Sequence, residues 1–376
     1  MTAGILKEPE NENRVALLPG EAAALKKLGH RILVENGAGT RAYASDQEYS
    51  EAGAEPADRK SVIDQSDIIL SVHPPVNDDI TLFRKGQVIC SVVNPVLNSS
   101  WLSSAMNRGL TVLALDMIPR ITRAQAMDVL SSMATVSGYK AVIEAASLLP
   151  RFFPMFMTAA GTIKPAKVLV LGAGVAGLQA LAIARKLGAV VEVFDVRSAV
   201  REEVKSLGGK FIEVEGARED ASAGGYAVEQ SEEFAARQKE LIHKHAVSSD
   251  VIISTALVPG KKAPVLIKKE TVLSMRPGSV IIDLAASGGG NCECTAEGKM
   301  IELNGVRIIG RSDYPSEMPT DASKMFGNNI ISLLKVMTGK NGELILDMND
   351  EIIKGTTAVH AGQFVSERVR QLLNIN

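Results

Sequence analysis

The sequence predicts an α/β fold with two doubly wound parallel sheets, and three observations carry that prediction. Short β-branched runs alternate with helix-compatible segments along most of the chain, as parallel strands joined by crossovers require. One run, KVLVL at residues 167–171, passes directly into Gly172-Ala173-Gly174-Val175-Ala176-Gly177 and then into a helical pattern. The chain has 376 residues, 46% of them hydrophobic. At about 150 residues per domain that length supports two to three separate cores.

In chain order, strands are expected near residues 3–6, then at 31–35 (RILVE), 67–72 (DIILSV), 87–93 (QVICSVV) and 111–115 (TVLAL), with helices at 20–28 and 100–108 between them. Gly37-Ala38-Gly39 follows a strand but lacks a third glycine and reads as a turn. Residues 123–149 are apolar and free of breakers except Gly138. Thr122 stands where a cap belongs, and Pro150 and Pro154 mark the end. A helix of that length spans about 40 Å at ~1.5 Å per residue, enough to join two domains. A second alternation follows: strands at 167–171, 190–194, 210–214, 251–254, 279–283 and 306–309, with helices at 175–187, 199–207 and 232–245. Asp321 is expected to cap a helix running to Met337. The whole reads as two doubly wound Rossmann-like domains joined by a long helix, with the C-terminal segment returning to the first domain. The expected domains are residues 1–125 plus 320–376, and residues 126–319.

Forty-one basic residues balance 43 acidic ones, giving a net charge of −2, and aromatics make up 4%. Without a basic surplus, nucleic acid is not expected as a partner. Three cysteines cannot build a disulfide framework, and Cys292 and Cys294 are spaced more tightly than a zinc knuckle, so reduced thiols are expected. The N-terminus lacks a signal-peptide core. The longest uncharged stretch, 168–184, is shorter than a ~20-residue membrane span and holds three glycines. A soluble intracellular protein is expected. No metal-ligand spacing appears, and His243 and His245, in RQKELIHKH, read as a solvated helix face.

The hexapeptide at 172–177 fits a dinucleotide seat because of its context. Gly172 permits the tight turn, Gly174 lets a pyrophosphate approach the backbone, and Gly177 lets helix and strand pack closely. The first N–H groups of the helix then face the phosphates. Eighteen residues past Gly177, at the end of the next strand, stands Asp195, whose carboxylate would bind the ribose hydroxyls and repel a 2′-phosphate, favouring NAD(H). Arg197, two residues on, is of the type that accommodates such a phosphate. The polar segment 213–231, with Gly224, Gly225 and Tyr226, reads either as a lid over a bound ring or as a disordered loop. Between Pro119 and Ser132, Arg120, Gln125, Asp128 and Ser131 recur where the chain leaves the first domain. They suit either a nicotinamide site or helix capping and surface ion pairing.

The runs RAQAMDVLSS, FPMFMTAAGTIKPAKVLVLGAGVAGLQA, SLGGKFIEV, AGGYA, STALVPGKKAPVLI and GSVIIDLAASGGGNC carry a resemblance. Over nearly the whole chain the sequence resembles the soluble NAD(H)-binding component of proton-translocating nicotinamide nucleotide transhydrogenases, of the Si/Re-specific type, in the alanine dehydrogenase/transhydrogenase family. The resemblance implies reversible hydride transfer between NADH held by this chain and NADP(H) on a partner subunit, coupled to proton translocation by a membrane-spanning subunit. It also implies a homodimer, and a cytoplasmic protein peripheral on the inner face of the membrane through its partners. Arg120, Gln125 and Asp128 are the implied catalytic set, orienting the dihydronicotinamide, and Ala126, Met127 and Ser131 share that site. Gly172, Gly174, Val175, Gly177, Asp195, Val196, Arg197, Gly225, Tyr226, Gln238 and Leu257 are the implied remaining NAD(H) contacts. Ser287, where relatives often carry a larger polar or acidic residue, is a departure.

Two alternatives stand beside this reading. Alanine dehydrogenase shares the architecture but needs an arginine, a lysine and a histidine for its keto acid. Here those positions hold Arg14, His73 and Asn94. An amide does not shuttle protons near neutral pH, and imidazole is not a long cationic donor. A non-enzymatic NAD-binding protein would not need the Arg120/Gln125/Asp128 set.

Overall fold

The computed structural model describes residues 1–214, 232–257 and 262–374. It divides into two compact units, Met1–Met133 with Pro315–Asn376, and Ala134–Tyr314. The sequence reading sets the corresponding boundaries at 125/126 and 319/320.

The first unit opens with β1 (Thr2–Ile5), α1 (Pro19–Lys27), β2 (Arg31–Glu35), α2 (Asp46–Glu51), β3 (Glu55–Ala57), α3 (Arg59–Gln65), β4 (Ile68–Leu70), β5 (Val88–Ser91), α4 (Ser99–Asn107) and β6 (Thr111–Ala114). These six strands lie parallel in the order β3-β2-β1-β4-β5-β6. Side chains alternate across a strand, so Ile68 and Leu70 enter one core and Ile69 the other. Burial on both faces is why these strands read as unbroken apolar runs. The short α2, β3 and α3 carry too little apolar pattern to be legible in advance. Ser45 forms a capping box with Glu48 at α2, and Asp58 caps α3.

The second unit holds most of α5 (Val129–Leu148), then the hairpin of β7 (Phe156–Thr158) and β8 (Gly161–Ile163), β9 (Lys167–Leu171), α6 (Val175–Lys186), β10 (Val190–Phe194), α7 (Arg201–Ser206), β11 (Lys210–Ile212), α8 (Glu232–Val247), β12 (Val251–Ser254), α9 (Lys269–Ser274), β13 (Val280–Asp283), β14 (Lys299–Leu303) and β15 (Val306–Gly310). Its sheet runs β11-β10-β9-β12-β13-β15-β14, parallel except for the edge strand β14. The chain then returns to the first unit with α10 (Pro319–Met337), α11 (Glu351–Thr356), β16 (Thr357–His360), β17 (Gln363–Phe364) and α12 (Glu367–Leu373). β16 pairs antiparallel with β6, so the expected return is completed by strands as well as helices.

Two expectations are corrected. The long helix begins at Val129, not at residue 123, and Thr122 opens a separate 3-10 stretch that ends at Met127. Asp128 breaks the run: its backbone is extended, and its carboxylate accepts bonds from the Ser131 amide (2.9 Å) and hydroxyl (2.6 Å), as an N-cap does. At ~1.5 Å per residue the helix is therefore about 30 Å long rather than 40. Asp321 is not the cap of α10; it lies in the first turn, and Pro319 opens the helix.

Candidate functional site

The glycine turn is shaped by close backbone approach. Gly172 has φ +101°, and a Cβ there would lie 2.6 Å from Thr255 Oγ1. A Cβ on Gly177 would lie 1.8 Å from the Gly172 carbonyl oxygen, so nothing larger than glycine fits as built. Gly174 is different. It is the N-cap of α6, has no side chain capping it, and a Cβ there would meet nothing within 4 Å. An open, uncapped helix start with positive character is a seat for an anion. Val175, the next residue, is exposed. Gly138 supports the seat from behind: a Cβ there would lie 2.2 Å from the Ala176 carbonyl, so the single glycine of α5 lets that helix lie against the first turn of α6.

Asp195 follows β10 and is 8% exposed. Its Oδ2 accepts from the Ala173 amide (2.7 Å) and its Oδ1 from the Arg197 amide (2.9 Å). The Arg197 guanidinium forks onto the same carboxylate, Nε to Oδ1 at 2.9 Å and Nη2 to Oδ2 at 2.7 Å. This pair holds the guanidinium above its ordinary pKa. Thus the structure brings Asp195 to the glycine turn but engages its carboxylate with Arg197. Val196 packs against the apolar cluster of the sheet, and Gln238 is half-buried on α8. Gly225, Tyr226 and the rest of the segment from residue 215 to 231, read above as a lid or a disordered loop, lie outside the described residues.

Sequence reasoning missed the network behind Leu257. Thr255 donates from its hydroxyl to the Gly172 carbonyl (3.1 Å), tying β12 to the glycine turn. Asn291, fully buried, bonds both the amide and carbonyl of Ala256 and reaches the Pro264 carbonyl, 2.8–2.9 Å each. It therefore ties Ala256 to Pro264, and Leu257, next to Ala256, is 46% exposed. Asp283, also fully buried, receives the amides of Ala285, Asn291 and Cys292 and the hydroxyls of Ser254 and Thr295. Five donors satisfy a charge that burial would otherwise penalise. An aspartate at a strand end followed by a glycine-rich GGGN was the available signal.

The implied nicotinamide residues belong to the first unit. Arg120, Gln125 and Ala126 are exposed, and Asp128 and Ser131 are half-buried and bonded to each other. Met127 is 4% exposed and packs in the core, which leaves its backbone rather than its side chain for a ligand. Asn329 on α10 donates to the Ala126 carbonyl at 2.8 Å, while Ala124 and Met127 anchor the segment from beneath.

At the positions relevant to a keto acid, Arg14 forks onto Glu12, and His73 Nε2 lies 2.8 Å from the same carboxylate. Asn94 has φ +46°, its amide donating to Asp116. The solvated-face reading of the α8 histidines is corrected: His245 Nδ1 lies 2.6 Å from Glu192 Oε2, and His243 Nδ1 lies 2.9 Å from Thr271 Oγ1. Among the described residues, no group of three or more His, Cys, Asp or Glu side chains is placed to hold a metal, and no helix is long and apolar enough to cross a membrane. The cysteines are free thiols, and burial pushes those of Cys90 and Cys292 up to about 12.

The family model described as "Alanine dehydrogenase/PNT, N-terminal domain" matches residues 4–137, and its C-terminal counterpart matches residues 141–367. The NAD(P) transhydrogenase subunit alpha of Haemophilus influenzae is 46% identical over 96% of this chain and 71% of its own length. The first part of the NAD(P) transhydrogenase alpha subunit of Rhodospirillum rubrum is 43% identical over 94% of each chain. A crystal structure of transhydrogenase from Sinorhizobium meliloti superposes with a TM-score of 0.89 at 42% identity, over 97% of this chain and 100% of that one. The alanine dehydrogenase of Mycolicibacterium smegmatis, by contrast, is 27% identical over all of this chain and 97% of its own.

Proposed function

The chain belongs to the alanine dehydrogenase/PNT family, and on that premise we propose that it is the NAD(H)-holding component of a proton-translocating, Si/Re-specific NAD(P)+ transhydrogenase. In this reading NADH on this chain and NADP+ on a partner subunit exchange hydride reversibly. Within the molecule, the observation that supports it most is the open, uncapped start of α6 beside the Asp195 carboxylate. Identities of 43–46% to transhydrogenase subunits, against 27% to an alanine dehydrogenase, favour this activity over its cousin. His73 and Asn94, where a keto-acid enzyme needs lysine and histidine, favour it too.

The residues fit the group they would hold. The first N–H groups of α6 would meet the pyrophosphate, Gly174 giving the backbone room to approach, and Asp195 would take the ribose hydroxyls. NADH, when bound, supplies the hydride. The chain's contribution is position: Gln125 as a carboxamide partner, with Arg120 and Asp128 fixing the ring, so that catalysis comes from proximity and orientation without a nucleophile or general base. Asp128 already has a rigid setting through Ser131 and the start of α5.

The partners in this reading are an NADP(H)-binding subunit, a membrane-spanning subunit that couples transfer to proton movement, and a second copy of the chain. The hairpin β7–β8 suits the last role, since Phe152, Met155, Phe156 and Met157 are exposed apolar side chains clustered in sequence around it. The chain would sit on the inner face of the cytoplasmic membrane through these partners.

The test is to mix the purified chain with an NADP(H)-binding component and follow hydride transfer from NADH to NADP+. Transfer is expected, with no deamination of alanine; alanine turnover without transfer would hand the site to the other family activity. Arg120→Ala and Asp128→Asn should each slow transfer tenfold or more, about 1.4 kcal/mol of barrier, while changing NADH affinity less. Parental rates in both variants would remove the orienting role.

A further inference from the structure

The Asp195 carboxylate is already saturated. A carboxylate offers about four lone-pair sites, and four donors reach this one: the amides of Ala173 and Arg197, and the Nε and Nη2 of Arg197. The two amides are fixed by the backbone of the glycine turn and the end of β10. The guanidinium is on a side chain 27% exposed, whereas the Asp195 side chain is 6% exposed. Of the four, the guanidinium donors are the ones that can leave.

Resting on the dinucleotide reading above, we propose that Arg197 is a latch on the adenosine-ribose seat: ribose hydroxyls and guanidinium compete for one carboxylate, so Arg197 lowers NAD(H) affinity while Asp195 keeps that arginine from capturing a 2′-phosphate. The diol of a bound ribose donates two O–H groups, and the positions open to it are those vacated by Nε and Nη2. Charge-assisted, bidentate bonds are stronger than neutral ones, so the exchange costs affinity. The same pair sets coenzyme choice twice over. Asp195 repels a 2′-phosphate directly, and it occupies the donors that would otherwise bind one.

Equilibrium titrations with ADP-ribose and 2′-phospho-ADP-ribose test this without any nicotinamide or hydride transfer. Arg197→Met, which keeps the apolar stem, should bind ADP-ribose about five- to tenfold more tightly than the parent, and Arg197→Lys should fall between them. Asp195→Asn should gain affinity for 2′-phospho-ADP-ribose by about tenfold. The double variant Asp195→Asn/Arg197→Met should lose that gain, because the freed arginine is what captures the phosphate. Thermal denaturation of each variant reports folding. Unchanged or weaker ADP-ribose binding by a folded Arg197→Met, beside a parent that binds normally, overturns the latch alone. A parent that binds neither ADP-ribose nor NADH overturns the dinucleotide reading, and the latch with it.

Discussion

The two units wind their sheets alike, with strands 3-2-1 to one side and 4-5 onward to the other, and they finish the resulting crevice in opposite ways. In the second unit three residues join β9 to α6, and the helix start is open. In the first, residues 6–18 separate β1 from α1, and Glu8 lies in that link, three residues past β1. That carboxyl accepts from the Val72 amide (2.6 Å) and the His73 amide (3.1 Å) after β4, so two backbone donors at this crevice hold an internal acid. Both crevices lie where doubly wound sheets bind ligands. The link after the first strand, rather than the strand order, is what differs between them.

The most severe way to break the comparison is to push the short link out of shape. Gly177→Ala sets a methyl against the Gly172 carbonyl, where as-built contact would be 1.8 Å. Backbone must move, and the cost is expected at about 3 kcal/mol or more, with loss of measurable NADH binding. Thermal denaturation and NADH titration check both. A stable variant with parental affinity would show that the close helix–strand approach does not shape the seat.

Much of this was legible beforehand because both sheets bury two faces. RILVE, KVLVL and VIIS are apolar runs with the length of strands, and the structure places strands at Arg31–Glu35, Lys167–Leu171 and Val251–Ser254. Elements defined by caps and edges were not. The sequence misleads about the start of α5 because RAQAM has helical composition, while Asp128, in capping Ser131, ends that pattern one residue before the helix. The edge strand β14 and the return strands β16 and β17 alternate too weakly to stand out from turns. Of the candidate site, the glycine turn was legible from spacing. The Asn291 clamp and the Asp195–Arg197 fork were not, since both depend on which donors a buried acceptor meets in three dimensions.

The crevice of the first unit carries a pH signature. Burial pushes the Glu8 carboxyl from 4.5 up to about 7, against the pull of the Val72 and His73 amides and the charge of His73; the charge of Glu12 also raises it. A carboxyl raised on folding holds its proton more tightly in the folded state. Its contribution is present in full below about pH 4.5 and is lost as pH rises through 7, in total about 3 kcal/mol. Denaturant unfolding at pH 5 and pH 8 should therefore show the parent losing more stability than Glu8→Gln over that interval. The glutamine has one carbonyl oxygen for two backbone amides, so it costs a hydrogen bond at both pH values and leaves the slope comparison intact. Equal slopes would mean that the Glu8 proton does not report on this crevice.

The smallest effect sharpens the comparison from the other side. Gly20 lies in the first turn of α1, the helix that follows the first strand of its unit as α6 follows β9. It is exposed, and a Cβ there would meet nothing within 4 Å. Its glycine serves no close approach, so Gly20→Ala should remove backbone freedom from the unfolded chain and raise stability by up to about 1 kcal/mol. NADH affinity should stay at the parental value, because this helix start follows a thirteen-residue link and lacks the glycine turn of α6. If Gly20→Ala instead weakened NADH binding as Gly177→Ala is expected to, the first helix of each unit would be contributing to one ligand site, and the division of labour between the two crevices would fail.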